Sequence, residues 1–493
     1  MVAYDLKFGP FRILPPYDVL IIDEAHQAAA AFRGAFSFSV SPFVIQRIYK
    51  AVDDVGMALG PQLRVDWETM FDLIKDMDGE IPKDPFGESG LAVIKSLGEL
   101  NKLATDEINA GGGKAGYDEE EDPEDFDTDV DPNAKLAPDE LMKYERLKRI
   151  LARTLEALRK IQAPDANECL YITTGGVAPK RYKTVTVAPI SVGPYVGPKI
   201  EKIPATIITS ATLSIAGSFN DIRNQMGIDY DLRTPPGPKP VITQILESPF
   251  DYKRQAVLYT PKHIPLPAST LDPKRPAYLR SLTLELARLI KAADGNAFVL
   301  FTATTDMNEV FAALQEEDLG GVTLITQGDD AESAFQEFKN TPRSVILGLK
   351  SFWEGVDVVG DKLRLVVITK LPFPQLSDPV IKARERIEKN AALQRGMDEK
   401  SVTGLIFNQI QVPMMVTDVR QGVGRLIRST TDRGVCAILD TRVWTGSGKF
   451  APDEKTRNYR GYGATVVNAI GFQQKTADFN NVAQFLKMIK DTP

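Results

Sequence analysis

The chain has 493 residues, 43% of them hydrophobic, and a formal net charge of −7. That length supports about three domains at roughly 150 residues each. No apolar run approaches the ~20 residues needed to span a bilayer, and the first residues lack a basic start and apolar stretch, so the expectation is a cytoplasmic, multidomain globular protein without a membrane partner.

The charge is unevenly distributed. Residues 118–131, DEEEDPEDFDTDVD, carry ten carboxylates and no base, so everything else nets +3, and from Lys350 onward there are 22 Lys and Arg against 15 Asp and Glu. The C-terminal part would therefore offer basic surface to a polyanion. Cys169 and Cys436 are the two cysteines, too few for a four-thiolate zinc site or an iron–sulfur cluster in this chain.

In chain order, residues 18–23 read as a buried strand, β-branched at Val19, Ile21 and Ile22, running into Asp-Glu-Ala-His. Residues 28–161 have helical spacing, as in LMKYERLKRILARTLEALRKI (141–161), interrupted at 109–134 by a Gly-rich and then acidic loop expected to be disordered. Strand character returns at 183–190 and 205–213, and the Pro- and Gly-rich 233–240 marks a boundary. Beyond it, strands at about 256, 297, 322, 344, 363 and 434 alternate with helical segments, which implies a parallel sheet with helices on both faces. The fold class is α/β, and in such sheets ligands gather at the carboxyl ends of strands.

Three segments carry chemistry. An Asp at the end of a buried strand, Asp23, would hold magnesium, and Glu24 beside it would orient an attacking water. His26 would project from the next turn and link the nucleotide site to its neighbours; the alternative is a chance tetrapeptide with Asp23 capping a helix. In 348–379 a strand ends in a turn with Glu354, Gly355 and Asp357, where Gly355 permits close approach of a phosphate or a partner loop. Trp353 there either stacks on a base or packs in a core. In QGVGRLIRS (421–429), Arg425 and Arg428 are spaced to share one helical face. They would either reach the γ-phosphate of a nucleotide or form ordinary surface ion pairs.

Taken in order, DEAH (23–26), SATL (210–213), LFTA (300–303), SFWEGVDVVG (351–360) and QGVGRLIRS resemble motifs II, III, IV, V and VI of superfamily 2 helicases. The last two resemble the DinG and XPD branch in particular. The resemblance implies two RecA-like lobes, a DNA-dependent ATPase using ATP and magnesium, and translocation on single-stranded DNA, typically 5′ to 3′. On that template Glu24, Gln421, Arg425 and Arg428 are catalytic, and Asp23, His26, Glu354, Gly355 and Asp357 serve nucleotide and magnesium. Ser210, Ala211 and Thr212 couple hydrolysis to movement, and Thr302 and Trp353 meet the nucleic acid. The domain map is then a first lobe from 1–27 and 162–235, a helical arch-like insertion at 28–161, and a second lobe at 241–493.

Family members place a phosphate-binding loop, G-x-x-x-x-G-K-[ST], upstream of DEAH. Nothing before Tyr17 fits, and in NAGGGKAG (109–116) Ile108 stands where the first Gly belongs and Ala115 where the magnesium-binding hydroxyl belongs. The first lobe would thus lack strands and expose edges and apolar surface. A separately encoded N-terminal segment carrying the phosphate loop is the expected partner. The competing expectation is a hydrolysis-deficient nucleic-acid-binding or interaction module.

Overall fold

The computed structural model describes residues 2–8, 14–110, 136–176, 180–214, 217–228, 241–328, 330–349, 358, 360–447, 449, 452, 456 and 458–491. The acidic run and the motif V residues Trp353, Glu354, Gly355 and Asp357 lie outside the described residues. The chain divides into two compact units, one comprising Met1–Leu213, Ile222–Ile242 and Gln375–Met397, the other Ser214–Asp221, Thr243–Pro374 and Asp398–Pro493. No helix of the described residues is long and apolar enough to cross a membrane.

Six strands of the first unit are β1 (Val19–Ile22), β2 (Phe38–Val40), β3 (Gly79–Glu80), β4 (Glu168–Gly175), β5 (Tyr182–Pro189) and β6 (Ala205–Ile208). They form two sheets: β1 and β6 pair in parallel, while β2, β5, β4 and β3 make an antiparallel sheet in that order. The antiparallel sheet joins residues from both sides of the boundary expected at 161. Val185 and Val187 of β5 and Leu170 and Ile172 of β4 share a core with Trp67, Met70, Leu97, Leu147 and Leu151 of the helical insertion. Those helices, Val44–Asp54, Pro61–Leu73, Gly87–Ala110 and Pro138–Gln162, form because apolar side chains recur at three and four and so make one buried stripe.

The helix Pro379–Gln394, expected in the second lobe, belongs to the first unit. Its Ala383 is buried against Cys169 and Ile190, the Cys169 thiol reaches the Pro379 carbonyl at 3.4 Å, and Arg386 pairs with Glu80. Nothing in its sequence announces this, because the partners lie some 200 to 300 residues away.

The second unit is the parallel α/β sheet the alternation predicts. Its strands are β7 (Ala256–Tyr259), β8 (Ala297–Leu300), β9 (Thr323–Thr326), β10 (Ser344–Gly348), β11 (Leu365–Ile368), β12 (Gly434–Ile438) and β13 (Gln474–Thr476), ordered β13-β7-β12-β11-β8-β10-β9. All its ladders are parallel. Along β11 the side chains alternate between two cores, Leu365 and Val367 to one face, Val366 and Ile368 to the other. That is the period of a strand covered on both sides.

The contrast with β1 is direct. VLII (β1) and LVVI (β11) have nearly the same composition, yet every residue of β11 is buried, whereas Val19 and Ile21 are 51% and 61% exposed and Ile207 beside them on β6 is 51% exposed. A two-stranded parallel sheet with an apolar open face is far below the four to six strands typical of sheets.

In the second unit the helix from Glu399 to Val423 contains a π-turn at Phe407–Gln411, where the Val412 N–H bonds to the Phe407 carbonyl. One row of buried residues comes every four at Val402, Ile406 and Ile410, then five on at Met415, then every four at Val419 and Val423, with Val412 and Val416 buried beside it. One extra residue in a wider turn keeps them on one side, and Pro413, which has no N–H to give the ladder, favours the break there. The Asn408 side-chain amide donates to the Gly404 carbonyl at 2.8 Å.

Asp440, in the same unit, is fully buried after β12. It accepts from the Leu371 N–H at 2.9 Å and the Arg442 N–H at 3.0 Å and also pairs with the Arg442 guanidinium. It thereby fixes the extended 371–374 connector, whose Phe373 stacks on Phe407 with Tyr462 edge-on to both. Gly463, next to Tyr462, is required by close packing: a Cβ there would lie 1.8 Å from the Val443 carbonyl oxygen. Asp440→Ala would leave Arg442 without its counter-charge, and a loss of about 3 kcal/mol is expected, read as a lower denaturant midpoint of the second unit.

Candidate nucleotide site

The parallel register of β1 with β6 pairs Ile22 with Ile208, so the residues that come after each strand emerge side by side. The Thr209 N–H bonds to the Ile22 carbonyl at 2.9 Å, and the Ala25 N–H to the Thr209 carbonyl at 3.1 Å. This ladder extension places Asp23 and Glu24 against Ser210 and Thr212, at the carboxyl ends of the two strands.

Glu24 adopts φ 46° and ψ 41°. A left-handed conformation is uncommon for a residue with a Cβ and costs on the order of 1 kcal/mol. Here it is held by the neighbouring bonds: the Glu24 N–H donates to Asp23 Oδ1 at 2.8 Å, and the next three residues enter a 3₁₀ turn, Ala25–Gln27. The strained residue turns its carboxylate toward β6.

There the side chains form a relay. Ser210 Oγ donates to Glu24 Oε2 at 3.2 Å, lies 2.8 Å from His26 Nδ1, and accepts from the Thr212 N–H at 3.2 Å. Ser210 Oγ is also 3.2 Å from Thr212 Oγ1, so its one proton has two acceptors; the Nδ1–H tautomer of His26 is the one that fits a proton given to Glu24. His26 Nδ1 is also 3.3 Å from Glu24 Oε2; the His26 side chain is 10% exposed and that of Glu24 63%. Thr212 is buried. The carboxylate thus faces solvent while its orientation is set from below by a buried imidazole and a hydroxyl.

Of the sequence-predicted residues, the first unit brings together Asp23, Glu24, His26, Ser210 and Thr212, with Ala211 exposed between the last two. The Asp23 donor set suits magnesium: one carboxylate oxygen is fixed by the Glu24 N–H and the residue is exposed. Magnesium commonly takes one or two protein carboxylates and completes its shell with water and phosphate oxygens. Ser210→Ala removes the link between His26 and Glu24, and a loss of roughly 2–10-fold in nucleic-acid-stimulated turnover, with basal turnover less affected, is the expected outcome in a steady-state assay.

In the second unit Thr302 lies two residues beyond Leu300, the end of β8. The helix Val412–Val423 ends one residue after Gly422, and the Gly424 N–H bonds back to the Arg420 carbonyl at 2.8 Å. Gln421 is therefore helical, but Arg425 lies in a turn and Arg428 beyond it. The expectation that both arginines share one helical face is corrected: the glycines end the helix first.

What orders these arginines instead is Asp432, buried, whose carboxylate accepts from the Arg428 and Ser429 N–H groups at 2.8 Å each and from the Gly360 N–H at 3.1 Å. Gln255 adds bonds to the Ser429 and Asp432 carbonyls. Burial pulls the Arg428 guanidinium pKa down, opposed by Asp432. Arg420 was missed by sequence reasoning. Its guanidinium, also lowered by burial, donates to the Ser214 carbonyl at 2.9 Å. The readable signal was a third arginine two residues before Gly422.

Residues 286–452 match the model of a helicase C-terminal domain. The chain is 29% identical over 505 residues to the ATP-dependent DNA helicase YoaA of Haemophilus influenzae, covering 99% of this chain and 67% of that protein. It is 32% identical over 304 residues to the ATP-dependent helicase DinG of Mycobacterium tuberculosis, covering 61% of this chain and 41% of that one. Among solved structures, S. tokodaii Xpd4 aligns over 91% of this chain and 77% of that one, with a TM-score of 0.50 and 15% identity. A second, an XPD helicase, aligns over 95% and 72%, with a TM-score of 0.51 and 12% identity. These two show a shared fold. Motif order, relatives and fold agree in one likeness: the chain is similar to the DinG and XPD branch of the superfamily 2 helicases.

Proposed function

We propose that the chain is the greater part of an ATP-dependent DNA translocase acting on single strands, whose phosphate-binding loop is supplied by polypeptide outside these 493 residues. The observation that supports the chemistry is the Glu24–Ser210–His26 relay beside Asp23. Glu24 orients water, Asp23 holds magnesium with the nucleotide phosphates, and Ser210 to Thr212 pass the state of that carboxylate to the elements that grip the strand. Arg425 and Arg428, always charged, neutralise charge developing on the terminal phosphate, with Gln421 beside them. Magnesium held by Asp23 would supply positive charge against that of the nucleotide phosphates.

The open face of β1 and β6 supports the second part of the reading. Covering Val19, Ile21 and Ile207 recovers about 1 kcal/mol apiece, and a strand leading into G-x-x-x-x-G-K-[ST] would both pair the free edge and place its loop at the same carboxyl ends as Asp23.

The test is ATP hydrolysis by the purified chain with single-stranded DNA, alone and with such a segment added. Turnover is expected only with the segment. Ile21→Asp is expected to weaken the segment's binding about 100-fold, since covering the face would then bury a carboxylate. Vigorous hydrolysis by the chain alone would overturn the proposal, and absence of turnover in both cases with retained DNA binding would favour a hydrolysis-deficient binding module.

A further inference from the structure

The helix Pro138–Gln162 buries one side and exposes another. Leu147, Leu151, Leu155 and Leu158 pack inward, whereas Arg146, Arg149 and Arg153 are exposed. At ~100° per residue these three arginines fall within an arc of about 60° and span about 10 Å along the axis. None of the three forms a salt bridge among the described residues. Glu145, half-buried beside the row, lies near Arg149, and Glu156, further along the same face, interacts with Lys7.

Like charges three and four apart on one helix face cost about 0.2–0.5 kcal/mol per pair. A polyanion would turn that cost into binding energy. The row is single-file and ~10 Å long, enough to follow a short run of successive phosphates, which advance ~3.4 Å per nucleotide along the axis of a stacked strand. A single-file row addresses one phosphate chain; the two backbones of a duplex diverge across a groove ~12 Å wide.

We propose that Arg146, Arg149 and Arg153 form a phosphate-tracking surface on the insertion helix for the backbone of single-stranded nucleic acid. The inference rests on the reading of the chain as a single-strand translocase, and adds a contact surface remote in sequence from every helicase motif. Guanidiniums suit it because each offers a planar fork of donors to phosphate oxygens and keeps its charge at any working pH. Such contacts position a strand without reading its sequence, so the surface should be indifferent to base composition.

The experiment is fluorescence anisotropy of a labelled oligothymidine with the full chain, without nucleotide, over a range of salt concentrations. Three phosphate contacts on a single strand contribute about 2 to the slope of log affinity against log salt. In the triple variant Arg146→Gln, Arg149→Gln, Arg153→Gln the slope should fall by about that much, so that the loss of affinity between 50 and 200 mM salt becomes roughly 20-fold smaller than in the parent. The corresponding triple Arg→Lys variant should keep most of the slope. Thermal melts of both should match the parent, since the side chains are exposed.

An unchanged slope in the Gln variant, with the parent binding normally, would overturn the surface and leave the translocase reading intact. Equal losses in the Lys and Gln variants would also overturn it, because a phosphate contact tolerates an ammonium. Failure of the parent to bind the oligonucleotide even at low salt would overturn both the surface and the single-strand reading beneath it.

Discussion

Glu24→Gln is expected to lower ATP turnover of the completed assembly by at least about 100-fold while leaving nucleotide affinity nearly unchanged. The substitution is close to isosteric, and the amide oxygen can still accept from Ser210 as Glu24 Oε2 does at 3.2 Å. The strained backbone at φ 46° is no worse for Gln than for Glu. What disappears is the negative charge that the proposed function assigns to orienting the attacking water. Steady-state hydrolysis measured beside equilibrium binding of a labelled nucleotide checks this, and turnover at parental levels would remove Glu24 from the catalytic role.

The arginines should give the other large effect. Arg425→Ala and Arg428→Ala are each expected to reduce turnover on the order of 1,000-fold, the scale of losing a guanidinium that meets transferring phosphate. Lys at either position should rescue poorly, since an ammonium cannot reproduce the fork. Asp432 separates the role of the side chain from that of the loop. It holds the Arg428 and Ser429 N–H groups without contributing charge to the nucleotide. Asp432→Asn should therefore lower stability and turnover together, whereas Arg428→Ala should lower turnover alone. A turnover in either arginine variant within tenfold of the parent would argue for ordinary surface arginines.

Much of the second unit was legible because its strands are covered on both sides and read as apolar runs separated by helical spacing. The end of β1 was equally legible, since Asp and Glu after four apolar residues are a local signal. The antiparallel sheet was half visible: β5 stands out as KTVTVAPI, but β2 and β3 are three and two residues long and acquire their identity only by pairing with β5 and β4. The helix Pro379–Gln394 joined the first unit through Ala383 and Arg386, contacts whose partners no window of sequence contains. At the site, Glu24, His26 and Ser210 could be named from residue types. Their relay, and the left-handed turn at Glu24 that aims it, depend on the β1–β6 register. The shared helical face assigned to Arg425 and Arg428 failed for a local reason, glycines at 422 and 424, that the spacing rule overlooked.

The π-turn at Phe407–Gln411 makes the helix that carries Gln421 unevenly sensitive to changes in length. Removing one residue there would let a regular α-helix close with Ile410 and Met415 one ordinary turn apart, so both halves would still face the interior. A deletion in the regular parts of 399–423 would instead swing one half by ~100° relative to the other and carry its buried side chains into solvent. An indel scan should accordingly find the wide turn to be the place where a single deletion is tolerated.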